Sequence, residues 1–313
     1  MYKQRTIAEK IEFVGIGLHS GLEVRMEIFP APADSGIVFV RSDLSPGIEI
    51  PARPEYVVDT QLATTLGRSV DGQPVTIATV EHLLSALAGL GIDNVMVHVD
   101  GPELPVMDGS AAPFVDLIVD AGIEEVRGPK RFMVIRKEVC VRDGDKVAKI
   151  APGPGFEITC SLDFDHPLIS TKPFVFNFSE RNFRNDLCAA RTFGFAQDVE
   201  LLRQNGLALG GSLDNAVVID GFEIMNPDGL RYADEFVRHK IIDAIGDLSL
   251  VGMPLIGKVT MHCSGHAMNA RLVNAVLEDP RCYEVVELNE RLGSDLLPSI
   301  GEFSLFESIN SLA

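Results

Sequence analysis

His239 and Asp243 stand four residues apart in the stretch Phe236-Val237-Arg238-His239-Lys240-Ile241-Ile242-Asp243-Ala244-Ile245-Gly246-Asp247-Leu248. Read at about 100° per residue, this stretch predicts a helix with two faces. Val237, Ile241, Ala244, Ile245 and Leu248 make an apolar stripe, while His239, Lys240, Asp243 and Asp247 share the opposite arc. A solvated helix face usually mixes lysine with glutamate. This one gathers an imidazole, an ammonium and two carboxylates. At i and i+4, His239 and Asp243 lie one above the other, which suits two ligands of a divalent ion that needs a third from elsewhere. Such a pair by itself is most often a surface ion pair, so the remainder of the chain decides its meaning.

A second histidine sits in another predicted helix, Ala78–Gly89, which Thr76 or Thr79 can cap and Gly89 can end. Val80, Leu83, Leu84 and Leu87 form its core stripe, with Glu81 and His82 beside it near the start. Two histidines and an aspartate plus water describe an open, catalytic metal site, whereas a structural site closes with four ligands. A carboxylate next to the metal, such as Glu81, can take a proton from a bound water whose pKa the ion lowers towards about 7. His266, in the turn Ser264-Gly265-His266, can protonate a leaving amine. Asp247, one turn beyond Asp243, can hold His266 charged and oriented. Zn2+ suits this set. Two histidines and one carboxylate also describe the Fe2+ facial triad of oxygen chemistry, but the adjacent glutamate base argues for hydrolysis.

The elements that must position these groups repeat. Ile11–Val14 and the alternating run Leu22–Ile28 read as strands, with glycines around His19 marking a tight turn. Gly15-x-Gly17 is no dinucleotide fingerprint, because Ser20 holds the third glycine position and no helix follows. The helix bearing His82 precedes a strand (Asn94–Val99), a turn at Met107-Asp108-Gly109-Ser110 and a helix (Ala112–Ala121). The charged run from Gly122 to Pro129 reads as a linker. Strands then recur at Phe132–Val141, Lys146–Ile150 (with a hairpin signal at Asp143-Gly144) and Phe156–Phe164. The helix bearing His239 follows, then a strand (Gly257–Cys263), a glycine turn and a helix (Ala267–Leu277). This order predicts an α+β fold of two similar two-layer modules, 1–127 and 128–313, produced by internal duplication. The helices are expected between the two sheets and the active site in the cleft between modules. Residues 193–224 break the symmetry as a βα-type insert, apolar and rich in small residues. The tail from about Glu284 predicts a final strand and a frayed end.

Bulk composition narrows the function classes. The 313 residues are 46% hydrophobic and 23% charged, with 27 basic against 45 acidic side chains and a net charge of −18. That field disfavours nucleic acid but leaves room for a small anionic substrate at a local cluster. Five scattered cysteines with no C-x-x-C read as reduced thiols of a cytoplasmic protein. No stretch has the roughly 18–20 apolar residues of a transmembrane segment, and the N-terminus lacks a signal-peptide core. A monomer is expected. His98, His262 and His166 read as core, surface or loop residues.

Six ordered motifs carry a resemblance: Leu18-His19-Ser20-Gly21, Thr79-Val80-Glu81-His82-Leu83-Leu84-Ser85-Ala86, Met107-Asp108-Gly109-Ser110-Ala111, Ala190-Arg191-Thr192-Phe193-Gly194-Phe195, Arg238-His239-Lys240-x-x-Asp243-x-x-Gly246-Asp247 and Ser264-Gly265-His266-Ala267. Together, to about residue 280, they resemble the UDP-3-O-acyl-N-acetylglucosamine deacetylases (LpxC), zinc amidases of lipid A biosynthesis. The resemblance implies Zn2+ on His82, His239 and Asp243, Glu81 as general base and His266 as general acid with Asp247 as its partner. It implies a UDP-sugar substrate with a fatty acyl chain, deacetylated with release of acetate. Thr192 would stabilise the oxyanion, His19 and Lys240 would contact the sugar-nucleotide, and Phe193 would pack on the substrate. The insert would form the passage for the acyl chain, lined by Val199, Ala208, Gly211, Ser212, Ala216 and Val218.

Overall fold

The structure, a computed structural model, describes residues 2–288. The first part of the chain forms β1 (Lys3–Ile7), β2 (Ile11–Ile16), β3 (Glu23–Pro30), β4 (Ile37–Arg41), β5 (Ile48–Pro51), β6 (Val57–Asp59), β7 (Thr65–Val70), β8 (Gln73–Ile77), α1 (Glu81–Gly89), β9 (Val95–Val99) and α2 (Ala112–Asp120). One sheet runs β2-β3-β9-β4-β5. Its neighbours are antiparallel except β4 and β9, which are parallel. Parallel neighbours need a long crossover, and this one carries α1. In β3, Val24, Met26 and Ile28 are buried while Glu23, Arg25 and Glu27 face outward, the period-two pattern of a sheet wet on one face.

The remainder forms β10 (Ile123–Pro129), β11 (Arg131–Ile135), β12 (Val139–Asp143), β13 (Lys146–Ala151), β14 (Phe156–Ser161), β15 (Phe174–Asn177), the short α3 (Glu180–Asn182), β16 (Phe193–Phe195), α4 (Ala196–Gln204), β17 (Val217–Asp220), β18 (Glu223–Ile224), α5 (Glu235–Ser249), β19 (Leu255–His262), α6 (His266–Glu278) and β20 (Tyr283–Glu287). The strands β12-β13-β19-β14-β15 pair in that order, again antiparallel except for the pair β14 and β19. Strand for strand, this repeats the first sheet, and α5 occupies the crossover that α1 occupies there. Even the central rows correspond. Ile28, Val97 and Phe39 align across the first sheet, and Ile150, Val259 and Ile158 across the second, all buried. β11 and β20 extend the second sheet.

Helices α1 and α5 pack along one another. α1 is buried at every residue but Ala88, and α5 at every residue but Arg238, Lys240 and Ser249. The contact depends on Gly246: a Cβ there would stand 2.1 Å from the Glu81 carbonyl oxygen. The fold is α+β, with the helices buried and the insert a separate parallel βαβ unit, in which β16 pairs with β17.

Several local expectations are corrected. The predicted linker is strand β10, paired antiparallel with β1. With one neighbour and a half-exposed face it needs few apolar residues, so it reads as polar. The strand expected over Phe132–Val141 is two strands, because Arg136 and Lys137 turn aside to donate to the Cys282 carbonyl. Thr79 does not cap α1. It adopts φ of 60°, and its hydroxyl donates to Glu103 Oε1 at 3.0 Å, so the helix starts at Glu81. Of the expected C-terminal tail, β20 is present and residues 289–313 lie outside the described residues. Among the described residues no helix is long and apolar enough to cross a membrane.

Candidate metal centre and active site

The polar arc of α5 faces α1, not solvent. His82 Nε2 lies 3.5 Å from Asp243 Oδ1, and His239 Nε2 lies 3.3 Å from the same oxygen. The two imidazoles meet edge-on with centroids 5.0 Å apart. One ligand atom from each of the three residues falls within 4.8 Å of the others, and all three residues are buried. Asp243 Oδ2 accepts from Lys240 Nζ at 2.8 Å, but Oδ1 has no hydrogen-bond donor. A buried carboxylate oxygen without a donor is costly. One that faces two imidazole nitrogens fits a divalent cation shared among them.

Electrostatics prepare the ligands. Burial draws His239 down to about 3, so it is a neutral donor at physiological pH. Its Nδ1 donates to the Ala190 carbonyl at 3.1 Å, which turns the Nε2 lone pair toward the centre, the arrangement expected of a metal-bound histidine. Burial alone would raise Asp243, yet the adjacent His239 and Lys240 hold it well below the usual carboxylate range.

Beside this centre lie a carboxyl group and a third imidazole. Glu81 Oε1 stands 4.0 Å from His266 Nε2. Burial pushes Glu81 up, opposed in part by the imidazoles of His266 and His82. His266 Nδ1 bonds Asp247 Oδ2 at 2.9 Å. Burial alone would lower His266, but the Asp247 carboxylate outweighs it and raises the imidazole to about 9. At neutral pH the His266 imidazole is therefore charged, with Nε2–H near Glu81. A raised carboxyl base beside a charged imidazole is the arrangement that acid–base hydrolysis requires.

The remaining sequence candidates divide into near and far. The Phe193 ring packs on Phe236 at 4.8 Å and lies 6.4 Å from the His239 ring, with Lys240 Nζ 5.7 Å from its centroid. Thr192 is fixed through its backbone, donating to Gly109 and accepting from Val217, both at 2.8 Å. The preceding Arg191 is locked by a buried pair with Glu235 at 2.8 Å. The His19 turn docks on the insert: Leu209 and Gly210 donate to the His19 and Leu18 carbonyls, and Ala208 N–H donates to His19 Nδ1 at 3.4 Å. His19 Nε2 is buried and unpartnered, and burial lowers its pKa. Ala216, just ahead of β17, and Val218 within it flank buried Val217 and are half-buried, as are Gly211 and, on α4, Val199. Ser212 is exposed, and its hydroxyl accepts from Asp214 N–H.

Sequence reading passed over Thr64, Glu103 and Asn269. Thr64 donates its N–H to Glu81 Oε2 at 3.0 Å and its hydroxyl to Asp247 Oδ1 at 2.5 Å. Glu103 accepts the backbone N–H groups of His19 and Ser20, both at 2.8 Å. Asn269 donates to Asp247 Oδ2 at 2.9 Å. Only Asn269 had a visible signal, one turn after His266 on the same helix face.

Comparison with known proteins agrees with this geometry. The family model described as UDP-3-O-acyl N-acetylglycosamine deacetylase (LpxC) matches residues 4–278. A UDP-3-O-acyl-N-acetylglucosamine deacetylase of Myxococcus xanthus (strain DK1622) is 56% identical over 290 residues, covering 93% of this chain and 91% of the relative. The protein of that name from Anaeromyxobacter sp. (strain Fw109-5) is 52% identical, covering 92% of each chain. Its namesake from Pseudoalteromonas atlantica (strain T6c / ATCC BAA-1087) is 50% identical, covering 95% of this chain and 99% of the relative.

Proposed function

The chain belongs to the UDP-3-O-acyl N-acetylglycosamine deacetylase family, and from that premise we propose that it hydrolyses the N-acetyl group of a UDP-linked, 3-O-acylated N-acetylglucosamine, a step of lipid A biosynthesis. His82, His239 and Asp243 hold the metal, which we take to be zinc, since two imidazoles and one carboxylate leave the open position of a catalytic site. When bound, such an ion lowers the pKa of a water and polarises the amide carbonyl. Glu81 takes a proton from the attacking water. The Thr192 hydroxyl donates to the oxygen on which negative charge develops. The C–N bond then breaks as His266 delivers its Nε2 proton to the departing amine, leaving acetate and the free amino sugar. Asp247 keeps His266 charged until that step. Lys240 neutralises the outer oxygen of Asp243 and, with His19, contacts the sugar-nucleotide, while Phe193 packs on the substrate. The insert, with Val199, Ala208, Gly211, Ser212, Ala216 and Val218, lines the passage for the acyl chain. We divide the chain at 127/128, with the repeated strand order in support.

The observation that carries this reading is the donor-free Asp243 Oδ1, set between two imidazoles and beside Glu81 and His266. The test is acetate release from the UDP-sugar with and without a chelator, together with metal analysis that separates zinc from iron. Glu81→Gln is expected to retain the metal and lose about 10²–10⁴-fold in kcat. Unchanged kcat would remove Glu81 from the mechanism.

A further inference from the structure

We infer that Thr64 and Asn269 are positioning residues of this reaction: they fix the Asp247 carboxyl group against His266, and Thr64 ties that group to the base Glu81. The inference rests on the roles of Glu81 and His266 proposed above.

Asp247, Thr64 and Asn269 are all fully buried, at 1%, 2% and 2% exposure. An ionised carboxylate persists in such a place only where hydrogen-bond donors replace water. Asp247 Oδ1 receives the Thr64 hydroxyl at 2.5 Å, Oδ2 receives Asn269 Nδ2 and His266 Nδ1, each at 2.9 Å, and the Thr64 hydroxyl oxygen also lies 3.2 Å from His266 Nδ1. The amide is oriented in turn, because Asn269 Oδ1 accepts from the Ser264 hydroxyl at 2.7 Å. Both added donors are neutral. They stabilise the carboxylate and leave His266 to supply the positive charge.

Thr64 does more than solvate. Its N–H donates to Glu81 Oε2 at 3.0 Å, and its carbonyl accepts from Val80 at 3.3 Å. One residue ahead of β7 thereby spans the start of α1 and the far end of the polar arc on α5. It sets the base and the acid's anchor in one frame, although they come from different halves of the chain. Losing the hydroxyl leaves Oδ1 of this buried carboxyl group unpaired. The Nδ1 proton then shifts toward Asp247, and His266 becomes a poorer donor. Glu81 also faces His266, and Asp243 and His19 act on it through space.

The experiment compares Thr64→Val, Thr64→Ser and Asn269→Leu. The His266 ring nitrogens are read by 15N NMR at pH 7 in metal-free and zinc-loaded protein, alongside kcat, KM and bound zinc. Expected for Thr64→Val and Asn269→Leu is an Nδ1 resonance moved toward the unprotonated value, kcat lower by about 10-fold or more, KM unchanged and zinc retained. Thr64→Ser is expected to restore the resonance and to recover kcat to within about threefold. Unmoved resonances, a serine variant as impaired as valine, or a kcat that falls only in step with lost zinc would each overturn the inference. Moved resonances with full turnover would leave the positioning role intact and overturn His266 as the proton donor.

Discussion

Helices α1 and α5 hold the same place in two sheets of the same strand order, yet carry different chemistry. With His82 set on His239, the positions of Lys240, Asp243 and Asp247 on α5 correspond to Leu83 and Ala86 on α1 and to Leu90 just past its end, all at 0% exposure. α1 is 9 residues long and carries Glu81 and His82; α5 is 15 residues long and carries His239, Lys240, Asp243 and Asp247. The turns after β9 and β19 diverge in the same way. Each places a non-glycine residue in left-handed conformation, Met107 at φ 57° and Cys263 at φ 48°. In the first copy the turn delivers Asp108 to a structural pair with Arg231 at 2.7 Å. In the second it delivers His266 to the site. The difference teaches that two buried helices in contact need only one set of charges. A buried carboxylate is tolerated only when partnered, and a single centre supplies partners for one set. The other copy was free to become core.

The comparison can be broken or sharpened in graded steps. The largest effect is expected from the paired ligands: His82→Ala and His239→Ala should each abolish bound metal and turnover, measured by metal analysis and acetate release. A dispensable histidine in either copy would end the equivalence. Next, Ala86→Asp gives α1 the carboxylate of α5 without its partners and is expected to cost about 3–5 kcal/mol in urea denaturation. Unchanged stability would show that α1 had room for the charge. Gly246→Ala pushes α5 off the Glu81 carbonyl and is expected to cost about 1–3 kcal/mol, with weaker metal binding by titration. The smallest effect is a shift of profile. In the proposed mechanism His266 works in its charged form, and its imidazole is raised to about 9, so kcat should fall as pH rises through about 9. Removing the anion with Asp247→Asn should move that limb to lower pH, and a limb that stays in place would detach Asp247 from the titration of His266.

Much of the site was legible because its signals are local. The i,i+4 spacing of His239 and Asp243, the adjacency of Glu81 and His82, and the glycine turn before His266 are periodicities of single elements. So is the repeated order of strands and helices. The polar arc of α5 was visible, but its burial was not: the same pattern fits a solvated face, and only α1 lying across it buries the pair and brings His82 beside it. The run 122–129 misread for a related reason, since the pairing of β10 with β1 joins residues far apart in the chain.

The sequence by itself determined the residue types of the candidate site, the α+β class and the repeated order of elements, because side-chain spacing along a helix or strand follows from backbone geometry alone. Tertiary structure alone decided the roles of Thr64, Glu103 and Gly246. Thr64 contributes through a hydroxyl and an N–H aimed at distant carboxylates, Glu103 through the backbone N–H groups of the His19 turn, and Gly246 through a missing Cβ opposite Glu81. None of these leaves a period in the chain, because each contact exists only where folding brings distant segments within a few ångströms. The same closure excludes water, and that is what makes His239 neutral, Glu81 a stronger base and the bond between Asp247 and His266 strong enough to hold a proton.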